Sequence, residues 1–139
     1  MYLLDASAII ALAKRARESL PHVLKDKRTL SLAFYEVGNF VWKEAVLIKK
    51  LGVRKAIEVA KDFTDVLLLM DIVYPDIRTD MCEICAVAAR TGLTFYDAAY
   101  LYVAIRDGLT LVTEDRELAE KARELGVRVL SAEELLPKA

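Results

Sequence analysis

Three features of this 139-residue chain predict an α/β fold of three layers, with helices on both faces of a central parallel sheet. Short apolar runs such as YLL (2–4) and LTLV (109–112) are nearly continuous rather than alternating, as expected of strands covered on both sides. Such runs alternate along the chain with longer segments of helical periodicity. Glycine and proline punctuate: Pro21, Gly52, Pro75, Gly92, Gly108, Gly126 and Pro137 fall between periodic segments, and Gly38 alone lies inside one.

Taken in order, the first strand spans 2–4 and a helix runs from 6 to 19. A connecting segment at 21–27 leads to a second strand at 28–31. The next helix, 32–50, has apolar residues at 33, 37, 40, 41, 45 and 48 and is closed by Gly52. An amphipathic helix follows at 53–66, and LLLMDIVY (67–74) reads as a strand stopped by Pro75. Helices at 76–90 and 95–106 are separated by the turn residues TGLT. After the 109–112 strand come a helix at 115–126, a strand at 127–130 and a capped helix at 131–136.

Composition narrows the function classes. A net charge of −1 excludes a strongly basic nucleic-acid binder but not an enzyme with a local basic patch. The N-terminus has no basic region, apolar stretch and small-residue cleavage site, and AAYLYVAI (98–105) is far too short to span a bilayer. The expectation is a soluble cytoplasmic protein, a single domain over 1–139, with no membrane partner. Cys82 and Cys85 form a C-x-x-C with mid-helix spacing, expected to face the core; redox or zinc roles are the alternatives. Glutamine is absent and asparagine occurs once, at Asn39, which fits a thermophile's avoidance of thermolabile amides.

Function in open α/β sheets concentrates beyond the carboxyl ends of the strands. Asp5 ends the first strand and Asp115 follows the LTLVT strand. Glu36 in LSLAFYEVGNF and Asp97 in LTFYDAAYLYVAI interrupt apolar helical stretches, where a carboxylate is costly unless paired or bound to a cation. Each has a simpler reading as well. Asp5 and Asp115 sit where helix N-caps are expected, Asp97 stands three after Thr94 as in a capping box, and Glu36 could face solvent. Taken as a set, four carboxylates at strand ends and helix starts can converge on one pocket. Oxygen-only ligation suits Mg²⁺ or Mn²⁺, and a pair of such ions is a recurring device for phosphodiester hydrolysis.

The segments YLLDASAIIAL, LSLAFYEVGNFVWK, LTFYDAAYLYVAI and LTLVTEDRELAEKARELGVRVL resemble, in order and spacing, the PIN-domain nucleases, a Rossmann-related group. Within that group they look most like VapC-type toxins of toxin–antitoxin pairs. The resemblance covers essentially the whole chain. It implies that Asp5, Glu36, Asp97 and Asp115 are both metal ligands and catalytic residues, with Ser7 and Thr113 as supporting hydroxyls. Glu114 would supplement Asp115. Asn39, one turn beyond Glu36, either supports the site or faces solvent. Lys14, Arg15, Lys43 and Arg116 are phosphate-contact candidates or solvated charges.

The activity implied is a Mg²⁺- or Mn²⁺-dependent endoribonuclease that acts on RNA by in-line attack of water, with no covalent enzyme intermediate. The partners implied are a second copy, as a homodimer, and a cognate antitoxin whose basic residue reaches the acids. The crowded helix around Tyr96, Tyr100, Leu101, Tyr102 and Ile105 is then either central core or an interface. Asp71 is read as an outward strand residue and Asp107 as part of a turn.

Competing readings are a non-toxin RNA-processing nuclease and a silent module that binds RNA or protein. A Rossmann-like phosphatase is also possible, but it would want a second aspartate where Ser7 stands. A receiver domain would need an acidic pair and a phospho-accepting aspartate that the chain lacks. Dinucleotide binding lacks a G-x-G-x-x-G after the first strand.

Overall fold

The first strand, β1 (Tyr2–Leu4), sends successive side chains to opposite faces: fully buried Leu3 enters one core and fully buried Leu4 the other. In this computed structural model, which describes residues 1–138, that split repeats across the sheet. Leu111 and Val112 divide in the same way on β4 (Thr110–Val112), as do Ile72 and Val73 on β3 (Asp71–Val73). Strand β5 (Val129–Leu130) likewise gives Val129 to one core and Leu130 to the other. On β2 (Arg28–Leu30), Leu30 enters the Leu3 core, while buried Thr29 donates a 2.8 Å hydrogen bond to the Leu4 carbonyl.

The five strands are all parallel in the order β3-β2-β1-β4-β5. Helices α1 (Ala6–Ala16), α2 (Leu20–Leu24), α3 (Leu32–Trp42) and α4 (Val53–Leu67) build the core that contains Leu4. Helices α5 (Asp80–Thr91), α6 (Phe95–Asp107) and α7 (Arg116–Glu124) build the core that contains Leu3. The expected three-layer α/β/α architecture is therefore the observed one. Because the chain steps outward from β1 to β3 and returns to the other side of β1 as β4, the strand order reverses between β1 and β4.

Several boundaries differ from the sequence reading, each for a local reason. The first helix ends at Ala16, where Arg17 takes a positive φ of 48°. The segment after it forms a 3₁₀ turn and then α2, whose first turn accommodates Pro21 and which buries Leu20, Val23 and Leu24. Helix α3 loosens into a π-helical turn, Lys43–Leu47, and stops before Lys49, which is left-handed at φ 59°. Gly52 instead caps the start of α4 in an extended conformation.

The apolar run at 67–70 is not strand. Phe63, Val66 and Met70 keep helical spacing toward the core, Leu68 and Leu69 turn out to solvent, and only 71–73 pair with β2. Helix α5 begins at Asp80 rather than 76 and buries Ile84, whereas Cys82 and Cys85 are free thiols on its exposed face, not in the core. Asp107 is the last residue of α6, paired with Arg106, and the left-handed residue that follows is Gly108. Asp71 points outward to Arg28 at 3.2 Å. The expected final helix is a 3₁₀ turn, Glu133–Leu135, where Glu134 accepts from the Ser131 amide at 2.8 Å.

The two leucine environments give opposite expectations under chemical denaturation. Leu111→Ala, in the middle of the sheet, should cost about 2–5 kcal/mol. Leu68→Ala, at 78% exposure, should stay within about 0.5 kcal/mol. Equal losses at the two positions would contradict the placement of residues 67–70.

Candidate active site

Asp5 leaves β1 and becomes the N-cap of α1, so the residue that ends a buried strand also starts a helix. Its Oδ1 accepts from the Ala8 amide at 2.9 Å and from the Ser7 hydroxyl at 2.6 Å. Its Oδ2 accepts from the Thr113 hydroxyl at 2.5 Å. Both hydroxyls are themselves held by the loop after β4: the Glu114 amide donates to Ser7 Oγ and the Asp115 amide to Thr113 Oγ1, each at 3.0 Å. Consecutive backbone N–H groups thus orient two hydroxyls, and both hydroxyls point their protons at one carboxylate. The β1–β4 pairing makes this possible, because it sets Leu4 beside Val112 and brings the two strand ends level.

Asp115 is the N-cap of α7, with Oδ1 accepting from the Leu118 amide at 2.9 Å. Thr94 caps α6 by accepting from the Asp97 amide at 3.2 Å, which leaves the Asp97 carboxylate free of that task. Glu36, half-buried on α3, accepts the Tyr100 hydroxyl on Oε1 at 2.8 Å. The capping readings are therefore correct for Asp5 and Asp115, and they coexist with convergence of the four acids.

That convergence is electrostatic as well as geometric. Burial raises the Asp5 carboxyl above its ordinary range despite the Ser7, Thr113 and Ala8 bonds, and the Asp115 charge adds to the rise. Burial also raises Glu36, opposed by Tyr100 and reinforced by Asp5 and Asp97. Asp97 is pushed up to about 6, first by burial and then by Asp115, Asp5 and Glu117. Among the described residues, none of the four is in an ion pair.

Hard oxygen donors with uncompensated negative charge fit a divalent cation of the Mg²⁺ class. As placed, no three acidic, histidine or cysteine side chains among the described residues are drawn tightly enough to hold an ion.

The remaining residues divide clearly. Lys14 and Arg15 line a shallow hollow of about 390 Å³ with Ser7, Phe40 and Glu114, and Arg116 lines a second of about 600 Å³ with Thr113, Glu114 and Asp115. Arg15 also pairs with Glu133 at 3.4 Å, and Lys14 stands 5.1 Å from the centre of the Phe40 ring. Lys43 is exposed at the start of the π-helical turn and lines neither hollow. Asn39 is exposed and makes no hydrogen bond to Glu36. Glu114 accepts from the Ala132 amide at 3.1 Å, which ties the loop after β4 to the C-terminal segment, and it lines the same hollow as Asp115.

Two residues near the acids carry no site role in the sequence reading: Tyr100, read there only as core or interface, which bonds Glu36, and Glu117, whose charge bears on Asp97. The signal for Tyr100 was a hydroxyl three residues after Asp97 on the same helix, shared in type with Tyr96 and Tyr102 of the same run. Of the crowded helix that carries both, Tyr100, Leu101 and Val103 are fully buried, which makes α6 central core, while Tyr96 and Ile105 are exposed.

The raised carboxyls make the metal-free protein sensitive to pH. Asp97 binds its proton more tightly folded than unfolded, so its favourable contribution is complete below about pH 4 and is lost as pH rises through about 6. Asp5 and Glu36 act in the same direction. In chelator-treated protein, Tm should fall between pH 4.5 and about 6.5, and Asp97→Asn should flatten that fall and raise Tm at neutral pH. A neutral-pH Tm lower in Asp97→Asn than in wild type would refute the repulsion.

Comparison with known proteins places the chain in a family. The family model described as "PIN domain" matches residues 2–124. Exonuclease VapC9 of Pyrobaculum aerophilum is 40% identical over 123 residues, covering 88% of this chain and 86% of that protein. Ribonuclease VapC3 of the same organism is 35% identical over 125 residues, covering 84% of this chain and 91% of its own length. The crystal structure of PAE2754 from Pyrobaculum aerophilum superimposes with a TM-score of 0.75 at 36% identity, over 96% of this chain and 90% of that one. With four acids at the carboxyl edge of a 3-2-1-4-5 parallel sheet and a family match over most of its length, the chain belongs to the PIN domain family.

Proposed function

We propose that the protein is a Mg²⁺- or Mn²⁺-dependent endoribonuclease, the toxin of a toxin–antitoxin pair. The observation that carries the reading is the meeting of Asp5, Glu36, Asp97 and Asp115 with no cation of the protein's own to offset them. A binding module has no need to hold repelling carboxylates together. The relatives named exonuclease and ribonuclease point to the same broad chemistry.

In this reading the four acids would hold the ion. When bound, Mg²⁺ or Mn²⁺ supplies positive charge, polarises a phosphoryl oxygen and lowers the pKa of water. The chain's own residues do the positioning. Ser7, Thr113 and the Ala8 amide fix both oxygens of Asp5. Asp115 is fixed by its cap, so its second oxygen faces a constant direction. Arg116, beside the α7 N-terminus, and Lys14 and Arg15 in the neighbouring hollow engage flanking phosphates of the RNA. Asn39 and Lys43 are left to outer contacts with the substrate.

Exposed apolar side chains on the α3–α4 hairpin, among them Trp42, Leu47, Val53 and Ile57, support a partner-covered surface, for a second copy or an antitoxin. No described helix is long and apolar enough to cross a membrane, which is compatible with action on cytoplasmic RNA.

The decisive assay uses linear and circular single-stranded RNA with Mn²⁺ or Mg²⁺. Wild type should cut both forms, chelator should abolish cleavage, and Asp97→Asn should lose about 10²-fold or more in rate. Cleavage that survives chelator or the substitution would overturn the metal-nuclease reading. Degradation of linear RNA only would make the enzyme an exonuclease, and turnover of a small phosphomonoester with RNA intact would make it a phosphatase. Growth arrest on expression of wild type but not of Asp97→Asn tests the toxin role; normal growth despite cleavage in vitro would assign a processing nuclease.

A further inference from the structure

We propose that Tyr100 is a positioning residue for the metal centre: its buried hydroxyl holds one oxygen of Glu36 so that the other is presented to the ion. The inference rests on the metal-nuclease reading above and concerns a residue that reading does not require.

Tyr100 lies three residues beyond Asp97 on α6, one helical turn deeper, and is 0% exposed within the core that covers Leu3. Phenylalanine would fill that volume equally well without burying an oxygen. A buried hydroxyl is disfavoured unless it finds a partner, and its partner here is Glu36 Oε1 at 2.8 Å, on a helix 64 residues earlier in the chain. In that bond the phenol O–H donates and the carboxylate oxygen accepts.

Glu36 differs from Asp5 and Asp115 in having a single side-chain tether, while Asp97, whose carboxylate accepts no hydrogen bond among the described residues, is placed by the Thr94 cap of its helix. Asp5 has three donors of its own and Asp115 has its helix cap, whereas the Tyr100 hydroxyl is the one hydrogen-bond donor to Glu36 among the described residues. Glu36 also carries the longest side chain of the four and sits half-exposed, repelled by Asp5 and Asp97. Without a donor beneath it, that repulsion would turn the carboxylate out to solvent. With Oε1 committed to Tyr100, Oε2 is free and its direction is set. The same bond ties α3 to α6 across the sheet edge, so that Glu36 and Asp97 keep a fixed relation.

The test compares wild type, Tyr100→Phe, Glu36→Asp, Glu36→Ala and the Tyr100→Phe double variants of the last two. Three quantities are measured: Mn²⁺ affinity by paramagnetic resonance, kcat and KM on RNA, and Tm. Tyr100→Phe should lose about tenfold in Mn²⁺ affinity and in kcat, within the range of other outer-shell substitutions, with KM unchanged within about twofold. Glu36→Asp, one methylene too short to reach both the phenol and the ion, should show a similar loss. Adding Tyr100→Phe to either Glu36 variant should then change Mn²⁺ affinity less than about twofold.

Mn²⁺ affinity of Tyr100→Phe within twofold of wild type overturns the proposal. So does an equal loss from Tyr100→Phe in the Glu36→Ala background, which would mean it acts through the fold. Should Tyr100→Phe fail to fold, wild-type Mn²⁺ affinity in Glu36→Asp overturns the proposal on its own, and weakened affinity supports it. A wild-type protein that neither binds Mn²⁺ nor cuts RNA overturns the parent reading and this one together.

Discussion

Asp5 is 4% exposed and, among the described residues, its carboxylate has no ion-pair partner, and the surrounding structure makes this tolerable. An isolated buried charge is prohibitively unfavourable, so it must be solvated by fixed dipoles. Ser7, Thr113 and the Ala8 amide supply them, and the loop after β4 in turn supplies the amides that orient the two hydroxyls. A parallel β1–β4 pair in strict register is a precondition for that arrangement. A one-residue slip of β4 would exchange Leu111 for Val112 between the cores and carry Thr113 away from Asp5.

The other acids are attached to this centre by different means. Asp115 comes with the same loop and is held by the α7 cap. Asp97 is delivered by α6, whose start is fixed by Thr94 and whose body is the most deeply buried helix of the fold. Glu36 arrives on α3 from the opposite layer and is secured by Tyr100. Rigid elements from both layers thus press like charges toward one edge of the sheet. Burial first, and the neighbouring charges after it, raise the carboxyls of Asp5, Glu36 and Asp97.

Much of this was legible in the linear sequence, and the reasons are local. The doubly covered strands show as continuous apolar runs, and α6 spans 95–107 almost as its periodicity predicts. Asp5 and Asp115 were visible as helix caps because capping depends on residues three positions apart. Boundaries failed where local chemistry was ambiguous. The run at 67–70 suits a strand or a helix end, and only the burial of Phe63, Val66 and Met70 on one face chooses the latter. Cys82 and Cys85 look like core residues by type, yet Ile84 takes the buried position of that helix and turns both thiols outward.

The layered α/β class and the helix caps follow from the sequence, because each is written in spacings of a few residues, and a family pattern singled out four acids as candidates. Ser7 and Thr113 were expected as supporting hydroxyls, but only the tertiary structure decided which acid each supporting group bonds. The hydroxyl of Thr113 meets Asp5 across 108 residues and that of Tyr100 meets Glu36 across 64. Strand register and helix packing set such meetings, and neither leaves a periodic trace in the chain.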